Sequence, residues 1–217
     1  MKPFIGIKQL WYGDVLSADL TGVADITALL NDTYTAVSNP TGSPKAKGYY
    51  EQSGTSYVLS NDTEVQNGKT YYTKTATTFT EILNVHEGTW GYSHDDPSVT
   101  DYVNELTGQP YYRDKTSLGA RTINFTLGVY DFATKAALQG GATIGEVGWK
   151  SSGALENVNK CIIAKTKTGN WIVFSNASIV AKGDQQEKNI GLGITAVCME
   201  NENSGVEAEY MFEAATA

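Results

Sequence analysis

Alternation of apolar and polar residues marks the clearest elements of this chain. In TINFTLGV, Ile123, Phe125, Leu127 and Val129 fall on one side and Thr122, Asn124, Thr126 and Gly128 on the other. Successive side chains of a strand point to opposite faces, so the run predicts a half-buried strand. NIGLGITAVCM repeats the pattern with Ile190, Leu192, Ile194, Ala196 and Cys198. VEAEYMFE does so again, setting Val206, Ala208, Tyr210 and Phe212 against Glu207, Glu209, Met211 and Glu213. CIIA and WIVF, joined by KTKTGN, predict a hairpin with strands apolar on both sides. That pattern suits strands placed where two sheets or two subunits meet.

One helix is predicted over residues 131 to 139. Asp131 is a good N-cap, FATKAALQ continues with small and apolar residues, and Gly140-Gly141 supplies a left-handed stop. Phe132 and Ala136, one turn apart, are expected to face the sheet. PSVTDYVNEL, residues 97 to 106, sets Val99, Tyr102, Val103 and Leu106 on one stripe at helical spacing. The proline, serine and threonine at its start fit a structured loop almost as well. GGATIGEVGWKSSG, residues 140 to 153, predicts a long loop with at most one strand.

Residues 37 to 76 differ in texture. VSNPTGSPKAKG has the composition of a linker, and GYYEQSGTSYVLSNDTEVQNGKTYYTKT then alternates aromatic and polar residues around Ser53-Gly54 and Asn67-Gly68. Tyr49-Tyr50 and Tyr71-Tyr72 are expected to pair across a small antiparallel sheet. With so few aliphatics this piece reads as an inserted β-module, on a main domain of residues 1–36 plus 77–217.

Composition strengthens the β reading. Twenty-two glycines and thirteen tyrosines favour turns and strands, and a chain of 217 residues is long enough for one well-buried core. The net charge is -8, with no cluster of Lys or Arg, which argues against capture of a nucleic-acid backbone. An acidic surface does suit DNA that must slide past without sticking. No apolar run approaches the roughly 20 residues of a membrane span. MKPFIGIKQLWYGD makes a poor signal peptide, so synthesis and retention in the cytoplasm are expected. Cys161 and Cys198 sit in apolar runs and read as buried free thiols, with a disulfide the lesser alternative.

Candidate chemistry concentrates in FTEILNVHEGTWGYSHDD, residues 79 to 96, which holds both histidines of the chain. Were residues 82 to 94 two strands and a turn, His86 and His94 could face each other with Asp95 and Asp96 nearby. A catalytic zinc wants three rigid protein ligands, and this stretch lacks HExxH spacing and a third histidine. The competing reading is a strand anchored by Phe79, Leu83 and Val85, with Trp90 and Tyr92 anchoring the loop after it. There is no GxSxG elbow, and GGATIG lacks a phosphate-loop lysine and follows the helix. These residues predict no enzyme, no cofactor and no small-molecule substrate. A second class of function is a carbohydrate- or surface-binding module using exposed Tyr50 and Tyr72.

The run EILNVHEGTWGYSHDDPSVTDYVNELTGQPYY, followed by TINFTLGVYDFATKAALQGG and NIGLGITAV, resembles major tail (tail tube) proteins of long-tailed bacteriophages and their prophages. The similarity covers most of residues 79 to 198 and, more weakly, the N-terminal 30. The resemblance implies a β-sandwich or β-barrel with one flanking helix, the fold shared with the haemolysin-coregulated tube protein of type VI secretion. It implies six-membered rings stacked into a tube in the virion tail, with tape-measure, tail-tip and tail-terminator proteins as partners and DNA passing through the lumen without specific binding. The insertion at 37–76 departs from the plainer family pattern. On this reading residues 86 to 118 form a long loop between subunits. Trp90, Tyr92, Tyr102, Tyr111 and Tyr112 are its candidate interface anchors.

Overall fold

The computed structural model describes residues 2–23, 25–186 and 188–214. In chain order its elements are β1 (Gln9–Gly13), α1 (Thr27–Leu30), β2 (Thr33–Ala36), β3 (Tyr50–Ser53), β4 (Ser56–Leu59), β5 (Tyr71–Thr75), β6 (Thr80–Ile82) and β7 (Gly91–His94). There follow β8 (Ser98–Val103), β9 (Pro110–Ser117), β10 (Arg121–Leu127), α2 (Phe132–Gln139), β11 (Ala142–Ile144) and β12 (Gly148–Lys150). The last four are β13 (Val158–Lys165), β14 (Trp171–Gln186), β15 (Asn189–Cys198) and β16 (Glu209–Phe212). The protein is mostly β, as expected. It divides into two compact units, Met1–Gly22 with Glu81–Ala217, and Val23–Thr80.

The larger unit is built on one antiparallel sheet in the order β6-β1-β13-β14-β15-β10-β7, with β16 as an additional partner of β14. Residues 80–94 touch both margins of this order. β6 pairs with β1, Val85 bridges Leu127, and β7 pairs with β10 from Gly91↔Asn124 to His94↔Arg121. One run of chain thus satisfies the free sides of β1 and β10 and draws the sheet closed. Inside lies a cluster drawn from β1, β6, β10, β13, β14 and β15, with Leu10, Ile82, Phe125, Ile162, Phe174 and Ile194 among its members.

β14 is the spine. Its first part lies between β13 and β16, pairing Trp171↔Phe212 through Phe174↔Glu209. From Ala177↔Cys198 onward the same side of β14 pairs with β15 instead. At the change of partner Ser175 N–H donates to Ala208 O (3.0 Å) and Met199 N–H to Asn176 O (2.8 Å). Against β13 the register also shifts at this level. Lys160 lies opposite Ala177 and Ile162 opposite Phe174, so Cys161 alone faces Ser175 and Asn176, a bulge in β14 that bends the strand. The hairpin expected across KTKTGN is present, and Cys161, Ile163, Trp171 and Val173 are buried on the face opposite the main cluster. Alternation holds for Ile123, Phe125 and Leu127 and for Leu192, Ile194 and Ala196, but Val129 and Ile190 at the ends of those patterns are exposed.

The helix lies as predicted and is capped by Asp131, whose Oδ1 accepts from Thr134 N–H at 2.6 Å. Its inward face differs from expectation. Leu138 is fully buried and Ala137 packs on the core, whereas Phe132 is largely exposed. The later turn of the helix carries the burial. Gly141 (φ 85°) admits no side chain, because a Cβ would meet Lys150 O at 2.5 Å and the Trp149 ring. Trp149 in turn donates to Gly140 O at 2.8 Å. Residues 142–150 form the two-stranded β11–β12 hairpin rather than a loop with one strand.

The smaller unit is a four-stranded antiparallel sheet, β2-β5-β3-β4. Tyr50 pairs with Tyr72, as the doubled tyrosines predict, but Tyr71 lies opposite Glu51, and β3 begins after Tyr49. The unit is wider than residues 37–76. β2 pairs with β5 through Thr33↔Thr75 to Ala36↔Tyr72, and Thr77 Oγ1 donates to Leu29 O at 2.8 Å. Residues before the linker-like stretch therefore belong to the small sheet rather than to the larger unit.

Replacing Asp131 by alanine is expected to cost about 1 kcal/mol of stability, read as a lowered denaturant midpoint with an unchanged slope. The Asp131 carboxyl is held below the ordinary carboxylate range by the Thr134 N–H. This stabilisation is accordingly present above the ordinary carboxylate pKa and fades as pH falls through the lowered one. An alanine variant with the wild-type midpoint at neutral pH would refute the cap.

Candidate assembly surfaces

Between β7 and β10 the chain leaves the closed sheet and returns. The excursion is neither the helix nor the loop that residues 97–106 and 86–118 suggested. β8 and β9 form an antiparallel hairpin, with Thr100↔Asp114, Asp101↔Arg113 and Tyr102↔Tyr112 in register. The stripe Val99, Tyr102, Val103 and Leu106 was equally readable at period 3.6, but cross-strand partners in YYRDKT decided for period 2. All of β8 is exposed, and all of β9 except Asp114. The hairpin stands away from the sheet as an arm.

The arm is stiffened from within. Arg113 grips Asp101 through two hydrogen bonds of 2.6 and 2.8 Å, and the rings of Tyr102 and Tyr112 meet at 5.6 Å. The Asp101 carboxyl is lowered by its Arg113 partner. At the tip, Asn104 O accepts from Gly108 N–H at 2.8 Å, with Gly108 at φ 69°. Leu106 on this turn is 95% exposed. At the root a Cβ on Gly119 would overlap the Asp95 carbonyl, and Asp95 N–H donates to Ala120 O at 2.9 Å. Only a residue without a side chain lets the two legs of the arm come this close.

The five candidate anchors fall into separate places. Tyr102 and Tyr112 share one face of the arm, and Tyr111 shares the other with Val99 and Val103. Trp90 packs against the main core. Tyr92, 36% exposed, lies beside Ile123 of β10, its ring 6.2 Å from Phe174 and its hydroxyl donating to Glu209 Oε1 at 2.9 Å. Glu209 also takes Arg121 at 2.8 Å, so a half-buried carboxylate ties β16 to β7 and β10. Burial and then the Glu209 bond push the Tyr92 hydroxyl up to about 12.

His86 and His94 are not brought together. Residues 85–94 run along β10 in one direction instead of turning back. His86 N–H donates to Thr126 O, whereas His94 pairs with Arg121. At about 3.3 Å per residue that separates them by roughly 16 Å. Among the described residues no three His, Cys, Asp or Glu side chains cluster as metal ligands. Leu83 is 79% exposed, and Ile82 is the buried anchor of β6 in its stead. Both cysteines are free, Cys161 buried and Cys198 half-buried. Burial raises both thiols, Cys198 to about 11.

Tyr50 and Tyr72 were expected to offer their faces to a ligand, but they are half-buried. Tyr34 and Tyr57 stack at 4.0 Å, Tyr50 meets Tyr34 edge-on at 5.3 Å, and Tyr72 meets Tyr57 edge-on at 4.9 Å. Tyr34 and Tyr57 sit on β2 and β4, the two margins of the small sheet. With strands about 4.8 Å apart, such contact requires the sheet to curl around these rings. Four tyrosines thus form one of the unit's two interiors. On the other face Tyr71 is fully buried, its hydroxyl donating to Asp62 at 2.6 Å.

Sequence reasoning overlooked Gly119, Tyr34 and Tyr57, and set Leu106 on a helical stripe where the structure has it at a hairpin tip. The cue for Leu106 was NELTGQP, whose Asn and Gly frame a hairpin turn. No protein-family profile and no curated protein matches the chain. No helix of the described residues is long and apolar enough to cross a membrane.

Three outcomes follow from this geometry. Spectroscopic titration should find one tyrosine ionising near pH 12 that is absent in Tyr92→Phe; the stability tied to its raised pKa is intact below pH 10 and disappears as pH rises through 12. Labelling of Cys198 in the folded protein at pH 8 should run about a hundredfold slower than that of a free thiol, and rapid labelling would contradict its burial. Tyr57→Ala should destabilise the smaller unit by roughly 2–3 kcal/mol, read as an earlier melting transition; an unchanged transition would remove the tyrosine interior.

Proposed function

We propose that this chain is a structural subunit of a phage tail tube, with the β-barrel-like tail tube fold, assembling through self-association into stacked, hexameric rings. The observation that carries the proposal is the β8–β9 arm. It exposes Val99, Tyr102, Val103, Leu106, Tyr111 and Tyr112 to solvent, and an isolated two-stranded hairpin is marginal in water at best. Apolar surface of this kind marks a site of protein contact. The arm lies within the residues that resemble tail tube proteins.

In this reading the chain turns nothing over. It acts by assembly, with the tape-measure, tail-tip and tail-terminator proteins as partners and the virion tail as its place. The balance of charges, 24 acidic against 16 basic residues, supports passage of DNA through the lumen by repulsion rather than binding. Electron microscopy of concentrated protein should find rings or tubes. A chain that stays monomeric at every concentration, alone and with tail partners, would refute the proposal.

A further inference from the structure

The tube reading says that copies associate; the structure also points to where the arm of one copy goes. The inference rests on that reading. A groove of about 560 Å³ runs past Ile7, Val85, His86, Glu87, Trp90 and Lys167. It continues over Ile7 and Val85 into a second depression that reaches Lys8 and Leu83. Its floor is apolar, and the exposed Leu83 marks its rim. Two lysines against one glutamate make the rim basic on balance. The Lys167 stem lies over Gly6, close enough that a Cβ there would sit 3.2 Å from it.

The tip of the arm has the opposite character. Leu106 projects from it almost fully exposed, with the exposed Glu105 beside it. The other charges nearby, Asp101 and Arg113, neutralise each other. An apolar knob with an adjoining carboxylate faces an apolar groove with a basic rim, in shape and in sign.

The tip cannot fill its own groove. The arm is rooted where His94 pairs with Arg121, and the groove lies at Val85, which bridges Leu127. At about 3.3 Å per residue, Arg121 to Leu127 spans roughly 20 Å. The exposed strands of the arm are not folded back over that distance. We infer that Leu106 and Glu105 of one copy seat in the Ile7–Val85–Trp90 groove of a second copy of this chain. Knob and groove are different surfaces, so the contact is heterologous, the kind that can repeat along a stack of rings. It gives the stack a direction, tip into groove.

The test uses the full chain and variants of the tip and of the groove. Leu106→Asp should raise the concentration needed for tube formation by at least about tenfold, the equivalent of one lost buried leucine contact. Glu105→Lys should weaken assembly less, and Lys8→Glu with Lys167→Glu should restore it by exchanging the charges. Leu106→Asp mixed with the double lysine variant alone should form discrete pairs, since each retains one intact surface. Tubes formed by Leu106→Asp at the wild-type concentration would overturn the groove while leaving the tube reading standing. Failure of the wild-type chain to assemble at all would overturn both. Unchanged circular dichroism and melting of Leu106→Asp separates lost contact from lost folding.

Discussion

The main-chain hydrogen bonds on the two sides of residues 80–94 hold the larger unit in its present form. Without that run, β1 and β10 would each present an open edge, and open edges pair with whatever strand is near. With it, β6 covers β1, Val85 and β7 cover β10, and the inward residues of β1, β6, β10, β13, β14 and β15 reach a common interior. The stretch that gathers both histidines is therefore a closing element. Its function is met by backbone groups, which explains why its titratable side chains have no common site to serve.

β14 depends on that closure. A strand running from Trp171 to Gln186 can serve β13, β16 and β15 only by changing partner partway, and Ser175 and Asn176 provide the step. Asn201 secures the neighbourhood, its Nδ2 donating to Leu16 O at 3.0 Å and Ser175 Oγ at 3.1 Å. Ser175 and Asn201 are thus buried with partners, as burial in a low-dielectric interior demands, and Asn176 Nδ2 donates to Glu200 O at 2.8 Å. The two units solve the same problem with different materials. Aliphatic and aromatic residues fill the larger one, whereas the smaller uses tyrosines, whose rings can be buried while hydroxyls find partners at the margin.

The arm follows neither pattern, because its two strands are exposed almost throughout. A protein that keeps a stiff, apolar hairpin in solvent accepts an aggregation hazard unless the hairpin has a destination. The bidentate Arg113–Asp101 pair and the Gly119 crossing at its root keep it in one shape. Preorganisation of that kind reduces the ordering cost when a partner arrives.

Local signals decided much on their own. Strict alternation fixed the strand character of Ile123–Leu127 and Leu192–Ala196, Asp131 and Gly140-Gly141 set the ends of α2, and the doubled tyrosines set the pairing of β3 with β5. Each rests on a rule reaching only a few residues along the chain. What required the tertiary structure was every choice of partner. Residues 97–106 carried a pattern fit for a helix until β9 supplied its opposite strand. Phe132 gave way to Leu138 as the residue that α2 buries. His86 and His94, close in sequence, were set apart because β10 holds their segment extended. Periodicity specifies which face of an element is apolar, but only packing specifies what that face meets.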